Sequence, residues 1–117
     1  MAKTFLIPAN KIRQIIDSNA GCLATDRITI DGSRVGWMYR SDASRPEDSG
    51  WRFFAGDESE SYMADTSNHN VYSVNTIAKY DPSIVPYLDS PVGSAYERLP
   101  DMQDFIRVDG WDSADSA

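Results

Sequence analysis

The chain has 117 residues, a formal net charge of −7, one cysteine and one histidine. This length fits one domain, and a single cysteine excludes an intramolecular disulfide, which suits a reducing compartment. Hydrophobic residues make up 41% and aromatic residues 11% of the chain, so a folded core is expected and general disorder is excluded.

The N-terminus predicts a short extended segment followed by a helix. Phe5–Ile7 is an apolar triplet typical of a strand, and Pro8 is a favourable first residue of a helix. Three isoleucines then follow at the spacing of one helix face, and Asn19 and Gly21 are signals that end it.

A β-hairpin is predicted next. Cys22–Thr25 begins a β section, and Ile28–Ile30 alternates with the period of a strand. Asp31-Gly32 is a strong tight-turn dipeptide, because glycine tolerates the positive φ that such turns require. Val35–Arg40 is then the returning strand.

The middle of the chain predicts loops alternating with short elements. Ser41–Ser49 is polar and contains a proline, which indicates a loop, and Trp51–Ala55 indicates a strand. Glu58–Met63 is typical of a short helical turn with acidic residues at its start. Ser67–Asn70 indicates a turn, and Val71–Val74 alternates as a strand.

Two further helix starts and two further strands follow. Asn75 is a plausible N-cap of a short helix, and Asp81-Pro82 combines a capping residue with proline at the first helical position. Gly93–Arg98 and Phe105–Val108 indicate two more strands, or one strand and a tail.

This order is not a strict alternation of strand and helix. It predicts a single α+β domain with a mainly antiparallel sheet, an N-terminal helix and short helices between strands. We expect the domain to span residues 1–109 and residues 110–117 to form a flexible acidic tail.

The charge is unevenly distributed along the chain. Residues 1–56 carry eight Lys/Arg and six Asp/Glu, whereas residues 57–117 carry three Lys/Arg and twelve Asp/Glu, or +2 and −9. Such a surface repels nucleic-acid phosphates and anionic lipids, and it attracts a basic protein. Solubility alone is the simpler explanation of the acidity. Because an acidic surface repels phosphates and anionic lipids, we expect no nucleic-acid or membrane partner.

The sequence lacks the residues that several kinds of metal-binding, phosphate-binding and catalytic site require. One cysteine and one histidine cannot build a structural zinc site, and no calcium loop or phosphate-binding glycine motif occurs. Cys22 and His69 would pair only through folding, and the simpler interpretation is a buried thiol and an exposed turn histidine. We predict no metal, no cofactor and no catalytic residue. The absence of a signal-peptide core or membrane span predicts a cytoplasmic location.

Aromatic residues between Arg34 and Arg52 allow two interpretations. Trp37, Tyr39 and Trp51 could stack on nucleic-acid bases, or Trp37 and Tyr39 could share one strand face and pack in or on the core. The net negative charge favours packing.

One segment has the composition of a protein-binding patch. SGWRFFAGDESESYM joins an aromatic strand to an acidic turn, and aromatic side chains supply buried area while carboxylates supply steering. The candidate partner-binding residues are Trp51, Asp57, Glu58, Glu60 and Asp65. Alternatively, Trp51 and Phe53 point into the core and the acidic residues form only a solvated turn.

Three blocks of the sequence resemble a known family. CLATDRITIDGSRVGWMYR, DSGWRFFAGDESESYM and NTIAKYDPSIVPYLDSPVGSAYER are together similar to the bacterial immunity protein 33 family, over about residues 20–98. The resemblance implies a single α+β domain of polymorphic toxin systems that binds and silences a cognate toxin. It implies no catalytic position.

The matching positions need not form the toxin-binding face, because glycines and prolines in the blocks serve turns. The blocks are matched at Trp51, Phe53, Phe54, Gly56, Asp57 and Glu58, and at Asp81, Pro82, Tyr87, Asp89, Pro91, Gly93 and Ser94. An acidic inhibitor would suit a toxin with a basic active site, such as a nuclease. A small uncharacterised enzyme and a housekeeping interaction module without a toxin partner are the alternative functions. The oligomeric state stays open.

Overall fold

The computed structural model describes residues 5–7, 20–42 and 47–108. The predicted helix after Pro8 and the predicted tail 110–117 lie outside these residues. No helix within the described ranges is long and apolar enough to cross a membrane. The strands and helices that they contain are β1 (Gly21–Thr25), α1 (Asp26–Thr29), β2 (Trp37–Arg40), β3 (Asp48–Phe54), α2 (Glu60–Ala64), a 3₁₀ turn (Thr66–Asn68), β4 (His69–Ser73), α3 (Val74–Tyr80), a 3₁₀ helix (Pro82–Tyr87), β5 (Ala95–Glu97) and β6 (Ile106–Arg107).

The strands form one mixed sheet in the order β4-β1-β3-β2-β5-β6. β1 and β3 are parallel, and the other four neighbouring pairs are antiparallel. The prediction of an α+β fold with a mainly antiparallel sheet is therefore confirmed.

The core lies on one face of this sheet. Successive strand residues point to opposite faces, so Trp51 and Phe53 share the inner face and are 1% and 0% exposed. The helices cover this face with Ile28 from α1, Ile77 from α3 and Ile84 from the 3₁₀ helix, each fully buried.

The predicted hairpin across Asp31-Gly32 is wrong. Its first strand is helix α1, and β2 pairs instead with β3 and β5. Gly32 does adopt a positive φ of 78°, but it ends a helix: the N–H groups of Asp31 and Ser33 donate to the carbonyls of Asp26 and Arg27. A glycine with a positive φ occurs in hairpin turns and also at helix ends. The residues after β1 form a helix because the helix buries Ile28 against α3.

Several smaller predictions are also corrected. Phe5–Ile7 lies outside any strand, and α3 is capped by Ser73, whose Oγ accepts from the Thr76 N–H at 3.1 Å, and not by Asn75. The turn predicted at Ser67–Asn70 ends two residues earlier than expected, at Asn68, and β4 begins at His69.

The other element predictions are confirmed in outline. Residues 43–46 of the predicted loop Ser41–Ser49 lie outside the described residues, and β3 already begins at Asp48, before the predicted end of the loop. The strand predicted at Trp51–Ala55 is the second half of β3, and the two late strands are β5 and β6. Asp81 caps the 3₁₀ helix, with proline at its first position.

A buried ion pair joins the late strands to the helical layer. The Arg98 Nη2 donates to Asp81 Oδ2 at 2.6 Å, and the two side chains are 3% and 9% exposed. The same carboxylate oxygen accepts from the Val35 N–H at 2.8 Å, while Arg98 Nε and Nη2 donate to the Val35 carbonyl. Arg98 also lies over the Phe105 ring at 4.3 Å. Each charge is thus satisfied by several groups, which is the condition for a stable buried pair.

The environment of Asp81 fixes its charge. Burial alone would raise the pKa of its carboxyl, but hydrogen bonds from Ser83 and from the Val35 N–H, with the charge of Arg98, lower the pKa below its ordinary value. A carboxyl with a lowered pKa contributes stability that is fully present above its unfolded pKa of about 3.9 and is lost as pH falls through the folded value.

A second constraint is a close backbone crossing at Gly36, between the strand ends of β2 and β3. A Cβ built on Gly36 would lie 2.1 Å from the Ala55 carbonyl oxygen and 3.2 Å from that of Arg98. The Gly36 N–H donates to the Phe54 carbonyl, and its own carbonyl accepts from the Arg98 N–H. Only glycine fits this position without displacing backbone.

We expect Asp81→Asn to lower the free energy of unfolding by about 3 kcal/mol at pH 7, because it leaves Arg98 buried without its counter-charge. Urea unfolding from pH 7 down to pH 3 measures this. The wild type should lose stability more steeply than the variant below pH 4. Asp101→Asn, at an exposed site, is the control. Equal pH profiles for wild type and Asp81→Asn would contradict this account.

We expect Gly36→Ala to destabilise the domain by about 2 kcal/mol or more, because the new methyl group collides with backbone that must move. Gly21→Ala is the matched control, since the nearest atom to its Cβ is at an ordinary 3.5 Å. Thermal unfolding of both variants measures the difference. A Gly36→Ala protein as stable as Gly21→Ala would show that the crossing relaxes freely.

Candidate partner-binding site

The acidic turn after β3 is built around Glu58. Its carboxylate accepts from the N–H groups of Ala55 at 2.8 Å and Gly56 at 2.9 Å, and from the Thr25 hydroxyl at 2.6 Å. Gly56 has a φ of 101°, which glycine adopts without strain. Glu58 therefore shapes the turn and ties it to the end of β1.

Asp57 stands on the surface of the same turn. It accepts from Arg27 Nε at 3.1 Å and Nη2 at 2.7 Å, and Arg27 also pairs with Asp31 at 3.0 Å. The hydrogen bond from Arg27 is the main reason that the pKa of Asp57 is lowered. Asp57 is thus accessible and ionised, but a neighbouring cation offsets part of its charge.

Glu60 and Asp65 lie at the two ends of α2, and both are exposed. Asp65 Oδ1 accepts from the N–H and the hydroxyl of Ser67, at 3.0 and 2.6 Å, and so caps the following 3₁₀ turn. Within the described part of the chain, the Glu60 carboxylate forms no hydrogen bond or ion pair. Of the four predicted acidic positions, Glu60 is the one whose charge is least committed to the fold.

Trp51 is not a surface residue. Its side chain is 1% exposed, its Nε1 donates to the Leu88 carbonyl at 3.2 Å, and it stacks on Phe53 at 5.9 Å. The expectation that Trp51 anchors a partner therefore does not fit the structure, and the alternative that Trp51 and Phe53 point inward is confirmed. The strand alternation puts both rings on the helix-covered face.

A different aromatic group lies beside the acidic turn. Trp37, Tyr39 and Phe54 occupy the outer face of the sheet and are partly buried. Tyr39 stacks on Phe54 at 5.8 Å, and Trp37 lies 6.3 Å from Tyr39. The sequence placed Trp37 and Tyr39 on one strand face, which is confirmed. Their pairing with the end of β3 depends on sheet order, and no local pattern indicates it.

An open groove of about 610 Å³ brings these features together. One wall is the aromatic outer face, the second is the acidic turn with Met63 from α2, and the third is the segment after β5. The floor is the crossing of Gly36 with Ala55. We call it the turn groove, and the side chains that define it are Trp37, Phe54, Asp57, Glu58, Glu97 and Leu99.

The charges in the turn groove are mainly negative. Asp57, Glu58 and Glu97 supply three carboxylates. Arg34 and Arg98 also line it, but Arg34 Nη2 donates to two backbone carbonyls of the rim, at 2.9 and 2.8 Å, and Arg98 belongs to the buried ion pair. The groove therefore combines aromatic walls with carboxylates, the chemistry that binds a cationic group.

Cys22 and His69 are held apart by the sheet register. Cys22 is opposite Tyr72, and His69 is opposite Thr25, three residues further along β1. Burial raises the pKa of the Cys22 thiol to about 12, so it is not a thiolate at neutral pH. His69 begins β4 and does not lie in a turn as predicted.

The comparisons with known proteins identify one family. Residues 22–109 match the model of the immunity protein Imm33 domain. No curated protein and no solved structure matches the chain. The match covers most of the chain, including every element that lines the turn groove, and the chain belongs to the Imm33 immunity protein family.

Proposed function

We propose that this protein binds a cognate bacterial toxin in the cytoplasm and neutralises it, using the acidic turn and the adjoining turn groove as its contact face. Its membership of an immunity family supports an immunity role, and such families are generally non-enzymatic. The observation that carries the choice of face is the groove itself, where Asp57 and Glu58 stand beside Trp37 and Phe54.

The proposed face has the two parts of an effective protein-binding patch. Partly buried aromatic rings supply apolar area at its centre, which is where most binding energy arises in protein interfaces. We assign its rim to the exposed carboxylates of Asp57, which lines the groove, and of Glu60 and Asp65 at the two ends of α2, the helix that contributes Met63 to the groove. Rim charges act mainly on the rate of association and on the choice of partner.

The charge distribution favours a basic toxin. Residues 57–117 carry a net charge of −9, and they include the acidic turn and α2. An acidic face attracts a basic partner over a distance of about one Debye length. A toxin whose active site binds phosphate, such as a nuclease, presents such a basic surface, and a carboxylate-rich inhibitor can occupy the place of the phosphate.

A small enzyme is the competing proposal, because a groove with convergent carboxylates is also what an active site needs. Acid–base catalysis uses carboxylates whose pKa values are pushed apart. In this groove the pKa of Asp57 is lowered by its bond from Arg27, and the Glu58 carboxylate is occupied by two backbone N–H groups and a hydroxyl. These arrangements suit a fixed negative face better than proton transfer.

A housekeeping interaction module without a toxin partner would use the same face. The two proposals differ in the partner and not in the surface. Binding of a toxin domain encoded at the same locus distinguishes them.

We expect Glu60→Lys to slow association with a catalytically inactive toxin domain from the same locus. The rate constant should fall severalfold at low salt and by less at high salt, because steering by a rim charge is screened. Biolayer interferometry at two salt concentrations measures this. Glu60 is preferred to Glu58, since reversal at Glu58 would also break the turn that it holds.

Glu47→Lys is the matched control, because Glu47 is exposed and precedes β3 at the end opposite the turn groove. It changes the net charge equally. Equal slowing by both variants would show that the association rate depends on the total charge of the protein and not on the position of the charge in the acidic turn. If the wild-type protein binds no toxin domain from its locus, the proposed function is rejected.

A further inference from the structure

We propose that the turn groove receives an arginine side chain of the partner, with its guanidinium between the Glu97 carboxylate and the indole of Trp37. This inference rests on the proposed function, and it names the chemical group that the site recognises.

Glu97 supplies the charge. It is exposed near the end of β5, and its Cα is paired with that of Trp37 on β2. Side chains of directly opposed residues stand on the same face about 5 Å apart. Among the described residues, the Glu97 carboxylate has no hydrogen-bond or ion-pair partner. It therefore offers two acceptor oxygens beside an aromatic ring.

Trp37 and Phe54 supply the planar wall. They too are directly opposed, on β2 and β3, and Tyr39 stacks on Phe54 at 5.8 Å. The face of an aromatic ring attracts a cation, and tryptophan does so most strongly. A guanidinium fits better than an ammonium, because it is planar, less strongly hydrated, and can donate two parallel hydrogen bonds to one carboxylate.

The protein already uses this combination inside its own fold. Arg98 pairs with the Asp81 carboxylate while lying over the Phe105 ring at 4.3 Å. In the turn groove, the carboxylate and the ring are present, and both arginines that line it are engaged elsewhere. Arg34 donates to the carbonyls of the rim, and Arg98 belongs to the buried pair.

The shape of the groove admits a side chain together with its backbone. Its volume of about 610 Å³ lies within the range of ligand-binding clefts. The floor is lined by Gly36, Ala55 and Gly56, which have small side chains or none, so an approaching chain meets backbone. A protruding arginine of a toxin surface can thus reach both walls.

The test is an NMR titration of the whole protein with the peptide acetyl-Gly-Arg-Gly-amide. We expect shifts of the Gly36 and Gly56 amides and of the Trp37 indole N–H. The matched control peptide carries citrulline, which has nearly the same shape without the charge. We expect it to bind about fivefold more weakly or worse, the combined effect of a lost cation–π contact and a lost surface ion pair. A lysine peptide should bind with intermediate affinity.

Glu97→Gln should weaken binding of the arginine peptide about two- to fivefold, as expected for loss of one exposed ion pair. Asp89→Asn is the control, because Asp89 is exposed and adjoins Leu88 and Ser90, whose carbonyls bind Arg40 at the other end of β2. Dispersed amide spectra establish that both variants are folded. Equal affinity for the arginine and citrulline peptides, or an unchanged affinity in Glu97→Gln, would overturn the proposal.

The failure of this inference is distinguishable from failure of the proposed function. If the toxin domain binds and Glu60→Lys slows it while the arginine peptide shows no preference, toxin binding stands and the arginine site is rejected. If no toxin domain binds, the immunity role is rejected, and the peptide titration still decides whether the groove recognises a guanidinium.

Discussion

The ion pair between Asp81 and Arg98 organises much of this small domain. Arg98 follows β5, and Asp81 caps the 3₁₀ helix. The backbone N–H of Val35 donates to Asp81, and the Val35 carbonyl accepts from Arg98. Three segments distant in sequence are thereby fixed at one point. Removing either charge would leave the other buried without its counter-charge, which proteins tolerate poorly.

The candidate site depends on the same point. The residue after Val35 is Gly36, which forms the floor of the turn groove, and its carbonyl accepts from the Arg98 N–H. Glu97, on the groove wall, immediately precedes the buried arginine. The outward side chains of the proposed contact face and the inward side chains of the core thus alternate along the same few residues. The geometry of the proposed site follows directly from the packing beneath it.

Local sequence signals correctly predicted the features that depend on residues close together in the chain. The Asp81-Pro82 helix start, the strand at the aromatic block after Gly50 and the mainly antiparallel sheet follow from capping, alternation and element order. Asp31-Gly32 was misleading, because a glycine with positive φ ends a helix as readily as it turns a hairpin. The parallel pairing of β1 with β3 has no local signal at all.

The candidate site was only half predictable for the same reason. The acidic turn at Asp57 and Glu58 is visible in the sequence, because its residues are adjacent. Trp51 was predicted as a partner-binding residue because it is aromatic and close to the acidic turn. Side chains alternate along β3, however, so that Trp51 faces the core and Phe54 faces outward. Trp37 and Glu97 are sixty residues apart in the chain, and only the position of β2 between β3 and β5 brings them together.

The alternation of inward and outward residues on β2 and β5 also bears on how such a protein can change its partner. Met38 and Tyr96 face the core, while their neighbours Trp37 and Glu97 face the groove. Under the proposed function, substitutions at the outward positions would alter partner binding without altering core volume. Exchanging a few outward side chains would therefore change which partner the proposed face binds, while the inward residues between them would keep the same core.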